Sequence, residues 1–103
     1  MNTEEFRELV FSFPCIIEKP HFNKTAFKAG NKRIFATLDA DTNTVNLKLE
    51  KNDQATFSSF NKPIIYPVPN KWGRHGWTTF ELNEVPGSLM LNALETAYNS
   101  SLK

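Results

Sequence analysis

The sequence predicts an α+β fold, a two-layer sandwich in which helices pack mainly on one face of an antiparallel sheet. Three observations lead there. Apolar residues recur at helical spacing near both ends of the chain. Period-two alternation dominates between them, and candidate strands follow one another directly instead of alternating with helices. The 103 residues suffice for a single domain, residues 1–103. Forty per cent are hydrophobic and 13% aromatic, enough to fill one modest core.

The first helix starts at Thr3, a suitable N-cap, with Glu4 and Glu5 favourable to the helix dipole. Phe6, Leu9, Val10 and Phe13 form its apolar stripe, and Pro14 stops it. A short extended piece at residues 16–18 precedes a loop, Pro20-His21-Phe22-Asn23. Residues 25–29 and 33–39 read as strands joined at Gly30-Asn31, two residues that tolerate positive φ. After a turn at 39–43, residues 44–50 alternate cleanly: Val45, Leu47 and Leu49 on one face, Asn46, Lys48 and Glu50 on the other.

Asn52 or Asp53 can cap a second, short helix through Phe60, with Ala55, Phe57 and Phe60 expected inside. Three prolines in residues 63–69 exclude a central strand and favour an extended or edge segment. Residues 70–76 read as a loop with two glycine hinges. In a strand over 77–82, Phe80 and Leu82 face in while Trp77, Thr79 and Glu81 face out. Pro86 suits the first turn of a last helix, whose apolar side is Leu91, Leu94, Tyr98 and Leu102, with Met90 and Ala97 alongside.

The formal net charge of +1 is not that of a strongly basic nucleic-acid binder. The charge is nevertheless segregated. Lys19, Lys24, Lys28, Lys32 and Arg33 share a stretch without acids, as do Lys62, Lys71 and Arg74. Cys15 is the only cysteine, which excludes an intramolecular disulfide, and with His21 and His75 it leaves too few ligands for a structural zinc site. The acidic, polar start is unlike a signal peptide, and no apolar run approaches a bilayer span. A cytoplasmic protein without membrane contact is expected.

Catalytic chemistry finds little support. Cys15 and His21 could form a nucleophile pair, but a lone cysteine is more often a small buried apolar residue. Asp39 and Asp41 sit in a turn, where Asp serves the backbone. The four glycines match no phosphate-loop spacing. No enzymatic activity and no cofactor are expected.

What remains is Lys71-Trp72-Gly73-Arg74-His75-Gly76-Trp77. Indoles can stack on bases and cations can hold phosphates. Alternatively, Trp77 caps the open end of the core, leaving Trp72 as the better candidate for exposure. Lys28 and Lys48 on outward strand positions, with Lys32 and Arg33 at the hairpin turn, could continue a basic surface; lysines that guard a solvated strand face explain them too.

Phe27-Lys28-Ala29-Gly30-Asn31-Lys32-Arg33-Ile34-Phe35-Ala36, then Asn46-Leu47-Lys48-Leu49, then Val68 to Gly73 with Gly76-Trp77-Thr78, and finally Val85-Pro86-Gly87 with Leu94, Ala97 and Tyr98 occur in that order. Together they resemble the hairpin, "NLK" strand, "K…W" segment and closing helix of the MmcQ/YjbR-like family. The resemblance implies a two-layer fold with an antiparallel sheet, and small bacterial proteins labelled DNA-binding. By position, Lys28, Lys32, Lys48, Lys71 and Trp77 match the family pattern, whereas Arg74 and His75 do not. Pro14-Cys15 departs from the family's more usual Pro-Gly, so the resemblance lends Cys15 no role.

The expected function is therefore a non-enzymatic DNA-binding module. Lys28, Lys32, Arg33, Lys48, Lys71 and Arg74 would contact phosphates, and Trp72 or Trp77 would pack on sugar or base. The alternative is a protein- or small-ligand-binding domain whose Trp, Tyr and Pro residues wall an apolar cleft.

Overall fold

The structure, a computed structural model, describes residues 1–103. Four helices, α1 (Thr3–Phe11), α2 (Lys51–Ser58), α3 (Lys71–Arg74) and α4 (Gly87–Ser101), accompany six strands. The strands are β1 (Ile16–His21), β2 (Lys24–Ala29), β3 (Ile34–Asp39), β4 (Thr44–Lys48), β5 (Ile65–Pro67) and β6 (Trp77–Glu81). They form one sheet, β1-β2-β3-β4-β6-β5, with every neighbouring pair antiparallel. The α+β two-layer architecture is as expected.

The core lies between the sheet and α1, α2 and α4. Phe6 of α1 meets Phe27 of β2 edge-on, Phe57 of α2 meets Phe80 of β6, and Tyr98 of α4 meets Phe35 of β3. Phe27, Leu38, Val45, Leu47, Ile65 and Phe80 fill the sheet side of this core. Both edge strands contain proline, Pro20 in β1 and Pro67 in β5. A residue without an N–H donor blunts an edge against further pairing.

Several helix details differ from expectation. Asn2, not Thr3, caps α1: its side chain accepts from the Glu5 N–H at 2.8 Å, and the Glu5 carboxylate accepts the Asn2 N–H at 2.9 Å. In α2 the inward residues are Gln54 and Phe57, while Ala55 and Phe60 are exposed. The amide of Gln54 is tolerated inside because it donates to the backbone carbonyls of Gly73 and Trp77. Pro86 is the N-cap of α4 and lies outside its first turn. The buried stripe of α4 runs Met90, Ala93, Leu94, Ala97, Tyr98 and Ser101, which leaves Leu91 and Leu102 exposed. This i, i+3, i+4, i+7 set uses small residues where the helix lies close to the sheet.

Strand β1 extends to His21, beyond the expected short piece, because it has β2 to pair with along its whole length. A bulge between β2 and β3 shifts the facing of residues in β3. Phe27 lies opposite Ala36 but Lys28 lies opposite Ile34, so Phe35 is an extra residue. Phe35 and Ala36 are both fully buried, and Ile34 emerges on the opposite face of the sheet.

Candidate nucleic-acid interface

The second face of the sheet carries no helical layer. Strand alternation and register assign its residues. One row crosses all six strands, Lys19, Ala26, Thr37, Asn46, Thr79 and Tyr66, polar except at the buried Ala26. The Thr79 hydroxyl donates to Asn46 Oδ1 at 2.7 Å, tying β6 to β4 within it. On one side lie Lys28 and Ile34, and Lys48 paired with Trp77. On the other, Lys24 follows His21 across the β1–β2 pair, and Asp39, Thr44 and Glu81 succeed one another across β3, β4 and β6.

A cleft of about 530 Å³ runs over this face. Thr37 and Asn46 line its centre. The β1–β2 turn, His21 to Lys24, borders it at one corner, and Val68, Asn70, Trp72 and Trp77 border it at the other. The sheet order sets these two borders at opposite edges.

The Trp72 border is held rigidly. Asn70 caps the single turn of α3, its side chain accepting from the Trp72 N–H at 2.9 Å. The buried Gln54 amide donates to the carbonyls of Gly73 and Trp77 at 2.9 and 3.2 Å. The expected glycine hinges are instead points of close approach. A Cβ on Gly73 would stand 2.0 Å from the Val68 carbonyl oxygen, and one on Gly76 1.9 Å from that of Leu49, where φ is also +102°. Only glycine fits either place.

The predicted residues divide into three groups. Lys28, Lys48 and Trp77 share the open face, and Trp72, 52% exposed, joins Trp77 at the cleft. Lys71 lies over the Trp72 ring at 5.5 Å, beside the cleft, and Lys32 is exposed in the β2–β3 turn. Arg33 and Arg74 are placed differently from the others. The Arg33 guanidinium donates to the Ser100 carbonyl at 3.0 Å, at the C-terminal end of α4. Arg74 borders a separate, shallow depression with Lys51 and Gln54. Cys15 and His21 flank opposite ends of β1, about 20 Å apart at strand rise, which separates the conceivable nucleophile pair. Cys15 is exposed, contrary to the usual buried cysteine. No group of three or more His, Cys, Asp or Glu is arranged to hold a metal ion.

His21, Phe22 and Lys24 are absent from the binding surface expected from sequence, where His21 figures as a conceivable partner of Cys15 and Lys24 as a member of the basic stretch. The signal was present: a Phe between His and Asn in a polar turn, and a lysine four residues before Lys28, hence on the same strand face.

Electrostatically the face is unbalanced. The chain holds two ion pairs, Arg7–Glu18 and Lys103–Glu50, so Lys24, Lys28 and Lys48 have no carboxylate partner. Asp39 accepts the N–H of Asp41 at 3.0 Å, and Glu81 accepts the Tyr66 hydroxyl, whose ionisation this bond pushes up to about 12. Burial, and then the Arg33 guanidinium, hold the Lys48 ammonium below its ordinary value against an opposing pull from Glu50.

Comparison with known proteins agrees with this fold. The YjbR family model matches residues 11–100. The chain belongs to the YjbR family. Among solved structures, the crystal structure of the Deinococcus radiodurans protein DR2400, a DUF419 protein, is similar with a TM-score of 0.86. It is 22% identical, and the match covers 99% of this chain and 79% of that one; at this identity the likeness speaks to fold. No curated protein matches the chain. No helix of this YjbR-family chain is long and apolar enough to cross a membrane.

Proposed function

We propose that this YjbR-family protein is a non-enzymatic DNA-binding module whose open sheet face takes the ligand. Lys24, Lys28 and Lys48 hold phosphates, with Lys32 and Lys71 at the margins, and Trp72 and Trp77 pack on sugar or base. One observation carries the reading: three lysines without carboxylate partners share a sheet face with both tryptophans of the chain. Cations spaced about 10–13 Å apart, the reach of two strands or four strand residues, suit a backbone of repeated negative charge.

The near-neutral total does not oppose this. Glu4, Glu5 and Glu8 sit in or beside α1 and Asp53 in α2, in the layer behind the sheet. The DNA-binding expectation attached to the family resemblance points the same way. Arg33 and Arg74 drop out of the proposed contact set, the first because it serves α4 and the second because it borders another depression. No helix stands on this face to enter a groove, so base-sequence selectivity is low.

Fluorescence anisotropy with labelled DNA between about 50 and 200 mM salt tests the reading. Affinity should fall steeply with salt, and Lys48→Ala should flatten the logarithmic slope by about one. Absence of salt-dependent binding would overturn it. The apolar lining of Phe22, Ile34, Val68, Trp72 and Trp77 favours a second reading, a protein or small apolar ligand. That ligand would alter tryptophan fluorescence with little salt dependence.

A further inference from the structure

Phe22 stands at the tip of the β1–β2 turn, 94% exposed, with a left-handed backbone at φ +60°. Both features are unfavourable. A bulky residue seldom adopts positive φ, and an exposed ring gains nothing from burial. Its aromatic neighbour is the His21 ring, edge-on at 5.0 Å. The positive φ belongs to the two-residue turn closed by the His21–Lys24 pair, a position glycine ordinarily fills. A solvent-facing ring there, beside a cleft, points to function, because neither the turn nor the core requires it.

The cleft that Phe22 borders ends at Trp72 on the other side of the sheet. Between the two aromatics the floor is polar. Asn46 Oδ1 already accepts from Thr79, which leaves the Asn46 amide N–H groups free to donate, and the Thr37 hydroxyl is beside it. Two aromatic walls, a hydrogen-bonding floor and bordering lysines form the combination by which proteins hold unpaired bases. A duplex offers no such fit, since its bases are paired inward and its outer surface is convex.

We infer that the ligand of this face is single-stranded nucleic acid, its unpaired bases entering the cleft so that one stacks on Phe22 and another on Trp72. The inference rests on the proposed nucleic-acid function and narrows it to a strand class. Lys24, two residues from Phe22, holds the phosphate next to the base stacked on that ring. The ribose hydroxyl has no assigned partner, so DNA and RNA strands share the chemistry.

The test uses the full chain and labelled oligonucleotides of about 12 nucleotides: single-stranded DNA, single-stranded RNA, a DNA duplex, and a strand of abasic sites. Single strands should bind at least about tenfold more tightly than the duplex or the abasic strand. Phe22→Asn removes the ring while keeping a residue that tolerates positive φ, and Trp72→Ala removes the other wall. Each should weaken single-strand binding about 5- to 100-fold and affect duplex and abasic binding far less. Phe60→Ala, an exposed aromatic of the α2 end, should change nothing. Preference for RNA over DNA, or the reverse, would identify the strand while supporting the inference. Equal affinity for duplex and single strand, or no effect of either variant, would overturn it and leave salt-dependent nucleic-acid binding standing. No binding to any of the four would overturn both.

Discussion

The Gln54 side chain donates to the Gly73 carbonyl at 2.9 Å, joining α2 to the turn that displays Trp72. A second bond reaches Trp77, so one buried amide positions both tryptophans. Gln54→Leu should therefore act on the site and on stability together. Losing these bonds costs about 1–3 kcal/mol, read as a lower urea midpoint. The tryptophan emission should also shift to the red in the still-folded protein.

Gly73 and Gly76 make a stricter demand. Alanine at either place drives a methyl group into a backbone carbonyl oxygen, which cannot rotate away. We expect Gly73→Ala and Gly76→Ala each to cost about 3 kcal/mol or more, the upper part of the overpacking range. For a domain of this size that lowers Tm by over about 12 °C, measurable by circular dichroism. Gly30→Ala, with no atom within 4 Å of the added carbon, should cost less despite its φ of +56°.

The Tyr66–Glu81 bond predicts an alkaline transition. The folded protein keeps the phenol protonated up to about 12, whereas an unfolded chain loses that proton near 10.0. The stability from this bond is complete below pH 10 and is lost as pH rises towards 12, because the folded state binds the extra proton. Tyr66→Phe should abolish that part of the decline. Urea midpoints at about pH 9 and about pH 11.5 for both proteins would reveal it; equal declines would remove the assignment.

Arg33 offers a check on the electrostatics of the face. Its guanidinium is the second cause, after burial, of the lowered Lys48 ionisation. Arg33→Met should raise the Lys48 titration without restoring the ordinary value, as followed by NMR of the lysine side chain. Stability should fall by only about 1 kcal/mol, the Ser100 hydrogen bond lost being partly offset by relief of Lys48.

Much of this was legible in the residues themselves. Alternation at Val45, Leu47 and Leu49 against Asn46, Lys48 and Glu50 marked β4, and Pro63, Pro67 and Pro69 marked an edge. The same alternation put Lys28, Lys48 and Trp77 on the outward side. These are local regularities, dictated by the two-residue repeat of a strand and by proline's missing donor. Gln54 could not be read in this way: a glutamine on a short helix is ordinarily solvated, and only the carbonyls of Gly73 and Trp77 justify its burial.

By itself, then, the sequence determined the antiparallel α+β class, the outward parity of the lysines and the family, since each follows from local spacing or ordered motifs. Tertiary structure alone decided that β6 lies between β4 and β5, which brings Trp77 against Lys48. It also brought Phe22 and Trp72 to one cleft from turns 50 residues apart. Strand order and close backbone packing arise from contacts distant in sequence, and no local pattern encodes them.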